Sequence, residues 1–472
     1  MPDHLQISIR RNAREPITQQ ISDGLRAAIE QGRLAAGARL PSWRDLASQL
    51  GVARGTVRLA YERLCDEQLI VSSGAAGTHV ARRPPVAPRA EASIRLDDEI
   101  GGHPRPAGVF QMGVPAQDMF PAKTWSRMLA AAARRVTQAP QQYPDPRGEP
   151  ALRAQIAAYL SLARGLACTP AQVFVTTGYG ASLSLAVRAL RLAGGAAWME
   201  DPGYPVARRA LALLGMAPVA VPVDAEGLDV AEGIARAPRA SLAVVTAGQQ
   251  APLGVTLSPR RRQALLEWAE RSQAWIVEDD YLSELQLQGR AALSLCAAQQ
   301  PAGHAPGRAR VLHIGSFSKT LSPVLRLGFL VVPPEQAEHF GRHAGATGAA
   351  PSPLVQHAVA DFMQDGHYLR HLRRMRRLYA ARRDALVAGL DAMAATHHAA
   401  GLAVLLRLPP GCSDLALARA AHEEGMAPVP LSPWYAAPTS AQSGLLLGVT
   451  NLREEIAHET CAKLLRLIAR HR

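Results

Sequence analysis

Six short apolar runs, at 172–176, 196–199, 241–246, 274–278, 311–315 and 327–332, mark the middle of this chain, and helical stretches such as 181–193, 203–214 and 258–272 fall between most of them. This alternation predicts an α/β fold with a mostly parallel sheet covered by helices on both faces. The stretch from about Pro353 onward is helix-rich and is expected to form a smaller terminal subdomain. In open sheets of this kind ligands bind at the carboxyl ends of the strands. Three polar motifs fall at such ends: Thr177-Gly-Tyr-Gly180, Glu278-Asp-Asp-Tyr281 and Ser316-Phe-Ser-Lys319. Their shared placement predicts one pocket.

Each motif has a chemical use there. Gly178 allows backbone to approach a phosphate closely, and a helix beginning near Ala181 offers free N–H groups and the positive end of its dipole. Asp279 can pair with a protonated ring nitrogen, and Tyr281 can donate to a ring oxygen. Lys319 supplies a primary amine for a Schiff base. A lysine with an acidic partner for a pyridinium nitrogen is the combination expected of a pyridoxal 5′-phosphate (PLP) site. Ser316, Ser318 and Arg326 can add phosphate donors. Lysine occurs only at 123, 319 and 463. Lys123 follows Pro121 and Lys463 sits in a helical tail, neither with phosphate-binding neighbours. Taken singly, each motif has an ordinary structural explanation: a solvated lysine, capping aspartates, a core tyrosine. Their combination in this order does not.

Residues 82–89 are rich in proline and arginine and cannot continue a helix or a central strand, which makes them a natural linker. Ahead of it Pro16 opens a helix with Ile17, Ile21, Leu25 and Ile29 on one face. Ser42 is placed to cap a second helix carrying Leu46 and Leu50. After a turn at Gly51, a third helix runs from about Arg54 to Asp66 with Val57, Tyr61 and Leu64 inward. Two short strands near Ile70 and Thr78 flank a glycine-containing turn. Helix, sharp turn, helix is the arrangement whose second helix enters the DNA major groove. Arg54, Thr56 and Arg58 lie in its first turns and Arg44 is placed for a phosphate. Three solvated arginines on a surface helix would look the same from spacing alone. The formal charge of +13 suits a polyanionic partner.

The wording of these segments narrows the reading. Residues 37–47, 52–58 and 77–80 closely resemble the winged helix of the GntR superfamily, which implies DNA contacts by Arg44, Arg54, Thr56 and Arg58 and by the wing near Gly74 to Gly77, where Ala76 replaces a frequent glycine. Ser316-Phe-Ser-Lys-Thr320 with Leu325-Arg-Leu-Gly328, Asp201-Pro-Gly-Tyr-Pro205, Ile276-Val-Glu-Asp-Asp-Tyr281 and Tyr143-Pro-Asp-Pro-Arg-Gly148 resemble the motifs of fold-type I aminotransferases. The two together resemble MocR-type regulators. That resemblance implies a winged helix over 10–81, a linker over 82–106, and an aminotransferase-like domain over 107–472 with a large part at about 145–340 and a small one at about 341–472. It implies that Lys319 anchors PLP, Asp279 holds the ring nitrogen, Tyr281 the ring hydroxyl and Tyr204 the ring face. Gly178, Tyr179, Ser316, Ser318 and Arg326 would cradle the phosphate, and Tyr143 would reach the phosphate of a partner subunit in a head-to-tail homodimer.

Three departures bear on activity. Ala251 stands where aminotransferases usually carry asparagine, and Gln249 where MocR-type proteins often have histidine. Leu446 stands near the arginine that grips a substrate α-carboxylate, and leucine cannot form that bidentate pair. The expected function is a PLP-dependent, DNA-binding transcriptional regulator that senses a small amine or PLP itself. The other reading is a working aminotransferase with an added DNA-binding module, and net turnover stays open. No apolar stretch is long enough to span a membrane, and residues 1–14 lack a signal-peptide core, so a cytoplasmic location is expected. The five cysteines are scattered, with no metal-ligand spacing, and are expected as free thiols.

Overall fold

The structure is a computed structural model that describes residues 7–11, 15–74, 77–82, 108–140, 142–287, 292–298, 310–348, 350–438 and 441–471. The chain divides into two compact units, Met1–His103 and Pro104–Arg472. Apart from Arg82, the expected linker lies outside the described residues, as does Ala76 of the wing.

The first unit holds α1 (Ile17–Glu30), α2 (Trp43–Leu50), α3 (Arg54–Asp66) and a hairpin of β1 (Ile70–Ser72) and β2 (Thr78–Val80). Pro16 precedes α1, whose Ile21, Leu25 and Ile29 are buried. The Ser42 hydroxyl accepts from the Asp45 N–H at 3.1 Å, and Gly51, at φ +62°, closes α2 in the left-handed conformation. Val57, Ala60, Tyr61 and Leu64 turn one face of α3 into the core. The Tyr61 hydroxyl donates to the Pro41 carbonyl at 2.9 Å, tying α3 to the start of α2. The sharp turn therefore joins two helices fixed by packing, capping and one partly buried hydrogen bond.

In the second unit the strands of the large sheet are β3 (Val173–Thr176), β4 (Ala196–Asp201), β5 (Ala217–Asp224), β6 (Gly227–Leu228), β7 (Leu242–Val245), β8 (Trp275–Asp280), β9 (Val311–Ser316) and β10 (Gly328–Val331). Their spatial order is β3-β10-β9-β8-β7-β4-β5-β6. Pairs β5–β4–β7–β8–β9 are parallel, while β10 is antiparallel to both β9 and β3. Hence β3 and β9 point the same way, and the carboxyl ends of β3, β4, β7, β8 and β9 share one edge. Strand β5, next to the two-residue edge strand β6, escaped the periodicity because Pro218 and Pro222 interrupt it, which is tolerated near a sheet edge.

The helices of this unit are α4 (Ala122–Gln138), α5 (Pro150–Arg164), α6 (Tyr179–Ala189), α7 (Pro205–Leu213), α8 (Val230–Arg236), α9 (Pro259–Ser272), α10 (Leu295–Ala298), α11 (Ala337–Thr347), α12 (Pro353–Gln364), α13 (His367–Asp391), α14 (Asp414–Glu423) and α15 (Ala457–Arg470). Alternate strand residues feed the two sides of the sheet. Met199, Val277 and Ile314 pack with Leu183 of α6, Leu211 of α7 and Phe340 of α11. Their neighbours Trp198, Ile276 and Val311 pack with Val230 of α8 and Trp268 of α9. The last part is richer in sheet than expected. It adds an antiparallel sheet of β11 (His397–Ala400), β12 (Ala403–Arg407), β13 (Val429–Pro430) and β14 (Gly444–Gly448), ordered β11-β12-β14-β13. No helix among the described residues is long and apolar enough to cross a membrane.

Candidate functional site

In the first unit Arg54 and Arg58 are exposed at the start of α3 and Thr56 is half-buried beside them. Arg58 makes only a loose contact with Glu62, 3.7 Å between two exposed side chains, which leaves it available to a phosphate or base edge. Arg44 is exposed and its guanidinium lies 4.8 Å from the Trp43 ring centroid, an apolar rest that limits its sweep. Two basic residues escaped the sequence reading. Arg39, bridged to His79 in the hairpin, holds its guanidinium within about 3 Å of where a Gly77 side chain would begin, and so stands at the wing. Arg11 donates to the Gly51 carbonyl at 3.0 Å, at the turn between α2 and α3.

In the second unit the three strand-end motifs meet. Gly178 sits at φ +120° ahead of α6, a conformation that L side chains rarely adopt. A Cβ there would meet only the Arg326 guanidinium, at 4.0 Å, so backbone and arginine face each other across an open cradle. The helix starts at Tyr179, two residues ahead of the expected Ala181, which brings its free N–H groups closer to Gly178. Ser316 ends β9 and its hydroxyl accepts from the Ser318 N–H at 3.1 Å, folding the turn that carries Lys319. The Lys319 amine donates to the Gly113 carbonyl at 2.8 Å. Gly113, at φ +77°, is a position missed by the sequence reading. A Cβ there would lie 2.8 Å from the lysine nitrogen.

Asp279 faces the same pocket from β8. Burial, then the nearby Asp280 and Glu200 carboxylates, pushes it up to about 8 against the pull of Lys319. Among the described residues none hydrogen-bonds its carboxylate. Burial lowers the Lys319 amine, with Asp279 opposing. Burial and then Asp279 raise the hydroxyls of Tyr281, Tyr179 and Tyr204, keeping all three as neutral donors. The Tyr179 hydroxyl is buried without a hydrogen-bond partner among the described residues. Its ring meets Tyr204 edge-on at 6.0 Å, and Tyr204 lies 6.0 Å from the Trp434 ring. Tyr143 is fully exposed in the single chain and is not among the groups brought together here.

An anionic phosphate and a cationic ring nitrogen fit this donor set. The cradle at Gly178 and Arg326 offers N–H groups without a counter-charge. Asp279 is a buried carboxyl whose ionisation a cation in the pocket would favour. The chemistry of PLP supplies both charges, with an aldehyde for the lysine.

The residues flanking Asp279 on β8 point to the opposite side of the sheet. The Glu278 carboxylate accepts from the Ser294 hydroxyl at 2.6 Å and the Leu295 N–H at 2.8 Å, and bonds His313 of β9 at 3.1 Å. Asp280 accepts from Arg164 at 2.7 Å. Burial works to raise Glu278, but His313 and the other donors outweigh it and hold it down at about 2. The departures are structural facts as well. Ala251 is buried in the turn after β7, its N–H donating to the Thr246 hydroxyl at 3.1 Å. The Gln249 side chain presses on Gly401 and its carbonyl oxygen is buried without a partner among the described residues. Leu446 is fully buried on β14.

Fold and pocket define an aminotransferase-type domain. Residues 116–454 match the family "Aminotransferase class I and II", and residues 17–80 match "Bacterial regulatory proteins, gntR family". The structure is similar to LysN, an α-aminoadipate aminotransferase from Thermus thermophilus, with a TM-score of 0.67 and 28% identity over 76% of this chain and 91% of that one. Relatives that span both units narrow the class. The probable rhizopine catabolism regulatory protein MocR of Rhizobium meliloti is 36% identical over 95% of this chain and 93% of its own. The pyridoxine biosynthesis transcriptional regulator PdxR of Corynebacterium glutamicum is 33% identical over 80% of each. The chain belongs to the MocR-type transcriptional regulators, in which a gntR-type DNA-binding domain is fused to a fold-type I aminotransferase domain of a PLP-binding family.

Proposed function

We propose that this regulator holds PLP on Lys319 and couples the state of that pocket to operator binding by a homodimer. Asp279 pairs with the ring nitrogen, Tyr281 donates to the ring hydroxyl, and Tyr204 covers the ring face. Gly178, Tyr179, Ser316, Ser318 and Arg326 take the phosphate, and Tyr143 reaches the partner's pocket in a head-to-tail dimer. The observation that carries this reading is the meeting of three strand ends at one place: the Lys319 amine on the Gly113 carbonyl at 2.8 Å, the buried Asp279 acting on that amine, and Gly178 facing the Arg326 guanidinium. Held by these residues, the cofactor would supply an electrophilic carbon able to exchange the lysine nitrogen for that of another primary amine, so the ligand read is a small amine or PLP itself. The chain's own groups hold the ring in place, keep water from the lysine, and present the amine through the Gly113 carbonyl.

The DNA-reading surface in this proposal is Arg54, Thr56 and Arg58 on α3, with Arg44 on a phosphate. The domains fall at 10–81 and 107–472, joined by 82–106. Gel-shift titration of the purified protein against a library of duplexes, with and without PLP, tests it. Selection of a palindromic or repeated sequence supports the reading, and binding without sequence preference in both states rules it out. Arg54→Ala is expected to relax one base position at a cost of about 1–3 kcal/mol. Arg44→Ala is expected to weaken all duplexes alike and reduce the salt slope by about 1.

A further inference from the structure

Alternation along β12 and β14 gives the small sheet two unlike faces. Val404, Leu406, Leu445 and Leu447 enter the main core. Leu405 and Leu446, opposite each other in register, turn to the other face. Leu446 is wholly buried there, in an apolar cluster whose partly buried members are Met112, Leu253, Val429, Trp434 and Tyr435.

This cluster adjoins the lysine. Met112 precedes Gly113, whose carbonyl accepts from the Lys319 amine at 2.8 Å. Trp434 of the same cluster lies 6.0 Å from the Tyr204 ring. An apolar wall therefore starts one residue from the lysine's hydrogen-bond acceptor and ends against the ring that would cover the cofactor. Three arginines of this region have contacts of their own. Arg208 donates to the carbonyls of Pro433 at 3.1 Å and Trp434 at 3.3 Å. Arg326 faces Gly178 across the phosphate cradle. Arg407, at the exposed end of β12, acts on Tyr435. The charged neighbour that acts on Lys319 is Asp279, an acid. A carboxylate carried on the amine-bearing carbon of a ligand would lose its water against this wall without a guanidinium fork to replace it.

We propose that the ligand read through Lys319 is a primary amine with an apolar body and no carboxylate on the amine-bearing carbon, and that the partly exposed Met112, backed by the buried Leu446, sets that preference. This rests on the cofactor reading above. The side chains act by exclusion, since an apolar wall rejects a charge more strongly than it attracts a methylene.

The test uses matched pairs on the full-length protein loaded with PLP: phenethylamine against phenylalanine, and isopentylamine against leucine. Calorimetry gives the affinities, and the visible absorbance of the bound cofactor reports engagement at the lysine. Each amine is expected to bind at least about tenfold tighter than its amino acid. In Leu446→Arg the order should reverse while the cofactor band is kept. An arginine at a buried position can unfold the sheet, so the wild-type ratios are the primary readout and a melting curve controls the variant. Amino acids binding as well as or better than the amines, with the band intact, overturn the proposal. So does a band unmoved by either pair, which would leave PLP itself as the ligand read. A protein that takes up no PLP at all defeats the cofactor reading instead.

Discussion

Glu278, Asp279 and Asp280 are consecutive on one strand, yet their electrostatic surroundings are opposite. Glu278 and Asp280 turn to the side where His313, Ser294 and Arg164 meet them at 2.6 to 3.1 Å. Asp279 turns to the pocket and meets no hydrogen-bond donor among the described residues. The first carboxylate is held down at about 2 and the central one is pushed up to about 8. A strand's two-residue period thus splits one acidic run into a structural brace and a group kept for a ligand. Composition alone would treat the three as equivalent.

The comparison breaks most visibly through the brace. Glu278→Ala leaves His313 and the Leu295 N–H buried without their acceptor, and is expected to cost about 3–5 kcal/mol of unfolding free energy, read by urea denaturation. Asp279→Asn should do the reverse. The cofactor-free protein should gain stability at neutral pH, since the folded chain no longer has to hold protonated a carboxyl that the unfolded chain ionises. Affinity for PLP should fall at least about tenfold, roughly 1.4 kcal/mol, because the amide cannot neutralise a ring cation. A variant pair with these two effects exchanged would erase the distinction between the faces.

Titration sharpens the same contrast. Asp279 keeps its proton in the folded protein where the unfolded chain has lost it, so its contribution to stability declines as pH rises from its ordinary 3.8 towards about 8. Glu278 has the opposite sign. Its contribution is present above its ordinary 4.5 and is lost as pH falls from there through about 2. Melting temperatures of the cofactor-free protein should therefore show a decline as pH rises from about 3.8 towards about 8 that Asp279→Asn flattens, and a separate decline at lower pH that it leaves alone. The smallest effect is Ser294→Ala, which removes one donor of three from Glu278 and should cost about 1 kcal/mol or somewhat more.

Much of this arrangement is legible in the sequence. The boundaries of α3, the cap at Ser42 and the strand ends carrying Gly178, Asp279 and Lys319 follow from local rules of period, capping and turn chemistry. What local rules do not reach are contacts between distant segments. Gly113 reads as an ordinary loop glycine until Lys319, 206 residues later, is seen to bond its carbonyl. The brace at Glu278 depends on His313 being its register partner across β8 and β9. The apolar wall at Leu446 depends on which face of a sheet is turned inward, and that sheet was itself hidden in a stretch that reads as helical. Arg39 escaped because its place at the wing is set by pairing with His79 rather than by its own helix or strand.

The central claim is that Lys319 anchors PLP beside Asp279. It is tested most directly by the absorbance spectrum of purified wild-type protein and Lys319→Ala, each incubated with PLP and desalted, with circular dichroism to confirm that both are folded. A visible cofactor band in the wild type that is absent from the folded variant is the expected result. A folded Lys319→Ala protein that keeps the band would contradict the account and direct attention to Lys123 or Lys463.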